Sequence, residues 1–473
     1  MAITRRDLLE RSGLLALSSA VWPNWMPRMV FRNPSVDPSG DILIVVFARG
    51  GYDGLNMVIP YGNEAEYFSY RKTIGIPAPD SAAANKAIDL DGFFGLHPAL
   101  GASNQGRWKE WYDSGHLAII QAVHQMDPTR SHFDAMDFME RGTPGQKTLN
   151  SGWLGRHLST KASQRNSPFR AVGLGTMVQA SLRGPVPAVA LQSIADFHLQ
   201  GRQTEITRFQ QHLESLYGGD GWLDKEGQNT FQALDLLQKA ISTTTYKAEN
   251  GAKYVDNNGF HRGLMQVAQL IKADVGLEVA CMDIGGWDTH ANQVAVADPT
   301  TGTHAGQMNS LATGISAFML DLWPYFDKTE MGKQGITVIV MSEFGRRIGE
   351  NGGRGTDHGH GNTMFVLGKG INGKKVYGTW PGLAEEFQDR GDLRGTTEYR
   401  DILAEILTKR AGNKRIADVF PNKTFSALGL ANALDTVAVP TSVPPTPVPT
   451  PKPTEPVITP PKPTIFLPWV QHG

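Results

Sequence analysis

Four segments of the chain are almost unbroken apolar runs, rich in β-branched residues: Ile42–Phe47 after Asp41, Leu117–Val123, Leu277–Met282 and Ile336–Met341. A strand with one wet face alternates polar and apolar residues. A strand apolar throughout must be covered on both faces, which is the situation in a parallel sheet. Between the runs, apolar residues recur at helical spacing over Phe260–Ile271, Met308–Trp323 and Tyr399–Leu407. Strands alternating with helices predict a doubly wound α/β fold. The polar, helical stretch of roughly residues 200–260 reads as an inserted cap on that fold.

Composition narrows the function. Forty-five basic against 46 acidic residues give a net charge of −1, which offers no basic footprint for nucleic acid or anionic lipid. The single cysteine, Cys281, lies inside an apolar run and suits buried packing. One cysteine excludes both an intramolecular disulfide and a cysteine-based zinc site, so any metal must be held by His, Asp and Glu.

The two ends differ from the middle. Arg5-Arg6 precedes the short apolar stretch Gly13–Leu17 and the small residues Ser18-Ser19-Ala20. That pattern predicts a twin-arginine signal and leader over residues 1–30, with the translocase as partner and a periplasmic, cell-surface or extracellular destination. The apolar stretch is far below the ~20 residues that span a bilayer, and no later segment qualifies. Near the other end, eleven of the 24 residues from Pro440 to Pro463 are proline, so 440–464 reads as an extended spacer. A short apolar tag, 465–473, follows it. The folded body expected between these ends covers 41–435.

In doubly wound sheets, functional side chains collect just past the carboxyl ends of the strands. There the sequence places Arg49-Gly50-Gly51-Tyr52-Asp53, then His124 and Asp127-Pro128-Thr129-Arg130-Ser131-His132, then Asp288-Thr289-His290, and then Ser342-Glu343 followed by Asp357-His358. Oxygen and imidazole donors without cysteine suit zinc, manganese or a pair of such ions. Asp288 with His290, and Asp357 with His358, are the candidate ligand pairs. Each also has a plainer reading, as an Asx-capped turn or as ordinary loop polarity. Ser131, at the start of a helical stretch, fits a nucleophile near free backbone N–H groups, and equally a simple N-cap. Thr129 is its competitor, and Arg130 suits a phosphate or sulfate oxygen.

These motifs resemble, in order, those of the domain-of-unknown-function fifteen-oh-one family, exported proteins commonly carrying twin-arginine signals. The residues are Arg49-Gly50-Gly51-Tyr52-Asp53-Gly54, Pro128-Thr129-Arg130-Ser131-His132-Phe133, Gly285-Gly286-Trp287-Asp288-Thr289-His290, Ser342-Glu343-Phe344-Gly345-Arg346 and Thr356-Asp357-His358-Gly359. The resemblance implies an alkaline phosphatase-like α/β/α sandwich around a mainly parallel sheet, with one or two divalent ions. It implies Asp53 as the ligand after the first strand, Ser131 or Thr129 as the hydroxyl nucleophile, and Asp288, His290, Asp357 and His358 as ligands. Glu343 is then either a ligand or the residue that orients the 357–358 loop, and His360 is a candidate last ligand. The superfamily usually has three residues between its first Asp and His, whereas one residue separates Asp288 from His290. No Cys-x-Pro-x-Arg motif for a formylglycine sulfatase is present. The expected activity is metal-dependent hydrolysis or transfer of an anionic ester, phosphate before sulfate, on a small molecule or modified polymer. A non-catalytic envelope or extracellular binding protein is the alternative.

Overall fold

The computed structural model describes residues 40–101, 106–161, 167–194, 212, 214–219, 221–240, 246–326 and 335–434. The leader over 1–30, the 440–464 spacer and the 465–473 tag lie outside the described residues, as do residues 200–211, 213, 220 and 241–245 of the segment expected to form a cap.

Among the described residues, nine strands make one sheet. In chain order they are β1 (Ile42–Ala48), β2 (Leu117–His124), β3 (Ala171–Leu174), β4 (Val189–Leu191), β5 (Val279–Ile284), β6 (Ile336–Met341), β7 (Asn362–Leu367), β8 (Lys375–Tyr377) and β9 (Thr397–Glu398). The spatial order is β8-β2-β7-β6-β1-β5-β3-β4, with β9 also pairing β2. β7 runs antiparallel to β2 and β6, while the other pairings are parallel. The fold is therefore α/β with a large, mainly parallel sheet.

β1 shows why its sequence is apolar throughout. Ile42, Ile44, Val46 and Ala48 pack into one core, and Leu43, Val45 and Phe47 into the other. The first core is closed by helices α1 (Trp108–Asp113), α5 (Gly259–Lys272) and α6 (Thr303–Asp321). The second is closed by α2 (His132–Arg141), α3 (Trp153–Thr160) and α7 (Tyr399–Lys409). Helices thus cover both faces, and the sheet forms the middle layer of a sandwich. Another helix, α4 (Trp222–Ala240), occupies the region read as a cap, and its Ala233 and Leu237 join the first core. Cys281 is buried on β5, 3.7 Å from the Ser181 hydroxyl. Burial pushes its thiol pKa up. No helix among the described residues is long and apolar enough to cross a membrane.

The antiparallel course of β7 matters for the site. β1, β5 and β6 deliver their carboxyl ends to one edge, and β7 starts from that same edge. The loop of residues 351–361 must therefore run along the edge before entering β7. Asp357 and His358 reach the site through this return loop, which explains why they stand so far beyond the carboxyl end of β6.

Candidate metal centre

Asp288 is the hub of a cluster at this edge. Its Oδ1 accepts a hydrogen bond from Arg346 Nη2 at 2.7 Å. The same oxygen lies 3.1 Å from His358 Nε2, 3.1 Å from His290 Nε2 and 3.4 Å from His132 Nε2. The donor atoms of His132, Asp288 and His358 all fall within 4.8 Å of one another. Each residue comes from a different strand end. His132 is the first residue of α2, Asp288 follows β5, and His358 precedes β7.

The other nitrogen of each ring decides the protonation pattern. His132 Nδ1 donates to Glu343 Oε1 at 2.7 Å, His290 Nδ1 to Asp357 Oδ1 at 3.2 Å, and His358 Nδ1 to the Arg130 carbonyl at 2.8 Å. A proton held on each Nδ1 leaves the Nε2 lone pair of a neutral ring exposed. His290 and His358 present those lone pairs to each other at 2.9 Å. His132 Nε2 is buried and has no hydrogen-bond partner. Facing lone pairs repel, and an orphaned buried acceptor costs ~1–3 kcal/mol. A cation removes both penalties, so these residues fit a divalent metal. Imidazoles whose Nδ1 is held by a carboxylate or carbonyl, with Nε2 free, are the usual outer-shell arrangement for such ligands.

Local charges and burial shift these groups in different directions. Burial alone would raise the Asp288 pKa, but the hydrogen bond and charge of the Arg346 guanidinium hold it down to about 2. The hydrogen bond to Glu343 raises that of His132, whereas burial lowers that of His358 despite the nearby Asp288. A hydrogen bond from Asn351 lowers that of Asp357. Phe344 packs against the rings of His132 and His358, with centroids 4.8 and 4.9 Å apart.

Arg346 fastens the loops that carry the cluster. Its buried guanidinium donates to the carbonyls of Gly50, Gly51, Trp287 and Thr356 as well as to Asp288. The fit between loops is close at Gly50, whose φ is +120°; a Cβ there would stand 2.7 Å from the Asp288 nitrogen. Only glycine meets both demands.

Not every residue expected from sequence joins the ligand atoms. Asp53 is buried below the loops, where its Oδ2 accepts from Arg71 Nη1 at 2.6 Å and from Gln293 Nε2 at 2.7 Å. Gln293 Oε1 in turn accepts from Thr289 and Thr356. The Arg71 charge already neutralises Asp53, which braces the site loops from beneath. Glu343 and Asp357 hold the rings of His132 and His290 and so stand one layer out. Glu343 also accepts from the Gly50 N–H at 2.8 Å. His360 points elsewhere, with Nε2 at 2.9 Å from the Gln125 carbonyl and its ring edge-on to His124.

Ser131 is the N-cap of α2, and its hydroxyl accepts from the Asp134 N–H at 3.4 Å. Thr129 Oγ1 accepts from the Ser131 N–H at 3.2 Å. Both hydroxyls help to shape the turn that aims His132. The Arg130 guanidinium binds Asp392. The sequence motifs contain His132 and Arg346 without marking a role for either. The signal for His132 was an imidazole at a helix start behind a strand end. Nothing local distinguished it from the neighbouring Ser131.

Fold and site together define a three-layer α/β protein with an imidazole–carboxylate cluster at the carboxyl edge of its sheet. The chain belongs to the family described as "Protein of unknown function (DUF1501)", whose model matches residues 41–415. No curated protein matches the sequence. Among solved structures, the chain is similar to the PsFucS1 sulfatase from Pseudoalteromonas sp., with 11% identity, coverage of 91% of this chain and 74% of that one, and a TM-score of 0.35. It is also similar to a protein in the alkaline phosphatase superfamily from Vibrio parahaemolyticus, with 9% identity, coverage of 84% and 74%, and a TM-score of 0.31. A third is the C-terminal periplasmic domain of EcEptC from Escherichia coli in complex with Zn, with 9% identity, coverage of 72% and 76%, and a TM-score of 0.30.

Proposed function

We propose that this protein is an exported, metal-dependent hydrolase of an anionic ester, a phosphate ester before a sulfate ester. The observation that carries the reading is the set of three imidazoles with their Nδ1 atoms held and their Nε2 atoms turned toward Asp288. His132, His290, His358 and Asp288 would hold the ion, zinc or manganese by donor type. When bound, it would supply Lewis-acid polarisation and neutralise charge developing on the ester. Glu343 and Asp357 keep the rings oriented, and Arg346 keeps Asp288 ionised and in place. Because the Ser131 and Thr129 hydroxyls are engaged in the turn, we assign the attacking group to water and Ser131 to the helix cap.

The test uses protein purified from its native compartment, with metal analysis followed by hydrolysis assays on aryl phosphate and aryl sulfate esters before and after chelation. Hydrolysis abolished by chelation and restored by zinc or manganese supports the reading. Bound metal without hydrolysis of either ester would leave a binding protein in its place. Ser131→Ala should lower stability by ~1 kcal/mol, the usual worth of a cap, and retain hydrolysis. Loss of turnover in a folded Ser131→Ala protein would return the nucleophile to the hydroxyl.

Export rests on Arg5-Arg6 ahead of the short apolar stretch. Replacing both with Lys should retain the protein in the cytoplasm, because the translocase reads paired guanidinium groups. Cell fractionation checks this, and normal export of the double variant would refute it.

A further inference from the structure

Beside the imidazole cluster stands a second charged group that the proposed chemistry has not used. The Asp392 side chain is only 3% exposed, yet it lies between two arginines whose side chains are each 42% exposed. Arg130 Nη2 is 2.5 Å from Asp392 Oδ2, and Arg347 Nε is 3.6 Å from Oδ1. The backbone ties both arginines to the cluster. Arg130 offers its carbonyl to His358 Nδ1, and the Arg347 N–H donates to the Asp357 carbonyl at 2.9 Å. The backbones of both arginines are therefore held next to the Asp357-His358 pair, and their guanidinium groups converge on Asp392.

The charges do not balance. Two half-exposed cations share one buried carboxylate. The neighbouring Asp389 has its own partners, with Oδ1 3.6 Å from Arg390 Nε and Oδ2 3.8 Å from His360 Nδ1. The hydrogen bonding is incomplete as well. Arg347 Nε, Asp392 Oδ1 and both amide atoms of the 3% exposed Gln125 are buried without a hydrogen-bond partner. Gln125 lies on the loop leading to Arg130, and its carbonyl receives His360. Unfilled guanidinium and amide donors suit the oxygens of a tetrahedral oxyanion, which guanidinium groups bind in forked pairs.

We propose that Arg130 and Arg347 form an oxyanion clamp for the phosphate or sulfate group of the substrate, and that Asp392 is the latch holding it closed until the anion arrives. The clamp rests on the anionic-ester reading and names the residues that would recognise that group. An arriving oxyanion takes the Arg130 donors from Asp392 and gives the unpartnered Arg347 Nε an acceptor. Asp392 therefore competes with the ligand, and removing its charge should strengthen binding.

Calorimetric titration of the full chain, stripped of metal by chelation, keeps the clamp separate from the metal. Inorganic phosphate and sulfate serve as probes in parallel arms, which show which oxyanion is preferred. Asp392→Asn should tighten binding of the preferred anion about tenfold, and Arg347→Gln should weaken it about tenfold, each equivalent to ~1.4 kcal/mol. Arg130→Gln should weaken it similarly. Should the buried Asp392→Asn variant fail to fold, Arg347→Gln at a half-exposed position still decides the matter. Undetectable binding of both anions by the parent protein, or affinities within about twofold of the parent in the folded variants, would overturn the clamp. A separate zinc or manganese titration reads the metal site. Metal binding with an inert clamp sinks only this proposal, and a working clamp without metal binding sinks only the metal reading.

Discussion

Replacing His132 with Ala is expected to lower zinc or manganese affinity by more than about a hundredfold. The estimate is a lower bound, because even outer partners of metal-bound imidazoles are worth ~10–100-fold. His132 brings the orphaned Nε2 of the cluster and sits on a different element from Asp288 and His358. Glu343→Gln keeps the shape but replaces the carboxylate that receives His132 Nδ1, so it should fall within that ~10–100-fold range. Asp53→Asn should leave metal affinity nearly unchanged, since the Asp53 carboxylate faces Arg71 and Gln293. Calorimetric metal titration of the three variants checks the order. Metal affinity lost with Asp53 and retained without His132 would restore the assignment suggested by family resemblance.

The second large effect concerns stability. Asp53 and Arg71 form a pair 2.6 Å apart with side chains 1% and 0% exposed. Arg71 also donates to Asn56 and to the carbonyls of Arg347 and Ile348, so the pair ties the first strand's loop to the loop after β6. Removing one member leaves a buried, uncompensated charge, and Arg71→Met should cost about 3–5 kcal/mol. The double variant Asp53→Leu with Arg71→Met should cost less than Arg71→Met alone, because no bare charge remains.

The same pair has a pH signature. Burial would raise the Asp53 pKa, but Arg71 overrides it and holds the value below the ordinary one. A depressed carboxyl pKa contributes stability that is fully present above about pH 4 and is lost as pH falls toward the folded value. The parent protein should therefore lose more stability on acidification below about pH 4 than the double variant. Denaturant unfolding across that range measures both effects. A cost below about 1 kcal/mol for Arg71→Met would show that water reaches the pair.

Much of the architecture was legible along the chain because strand burial writes itself into local composition. The runs at 41–47, 117–123, 277–282 and 336–341 correspond to β1, β2, β5 and β6 within two residues or so at their ends. The periodic stretches correspond to α5, α6 and α7. β7 was not anticipated. Its six residues are all buried, but Asn362-Thr363 at its start dilute the apolar signal, and direction leaves no mark on composition. That one antiparallel strand sets the path of the 351–361 loop and hence where Asp357 and His358 arrive.

Local sequence also determined that carboxylates and imidazoles gather behind the strand ends, since that follows from chain order and strand position alone. It could not rank them. Asp357 and His358 are adjacent, yet one presents its ring to Asp288 while the other holds the far side of His290. His132 and Glu343 meet across 211 positions, and Arg130 meets His358 across 228. Which nitrogen carries a proton, and which carboxylate is neutralised by an arginine rather than left to a metal, depends on partners brought in from other strands. Ligand identity here is a property of those long-range hydrogen bonds, and only the folded chain makes them.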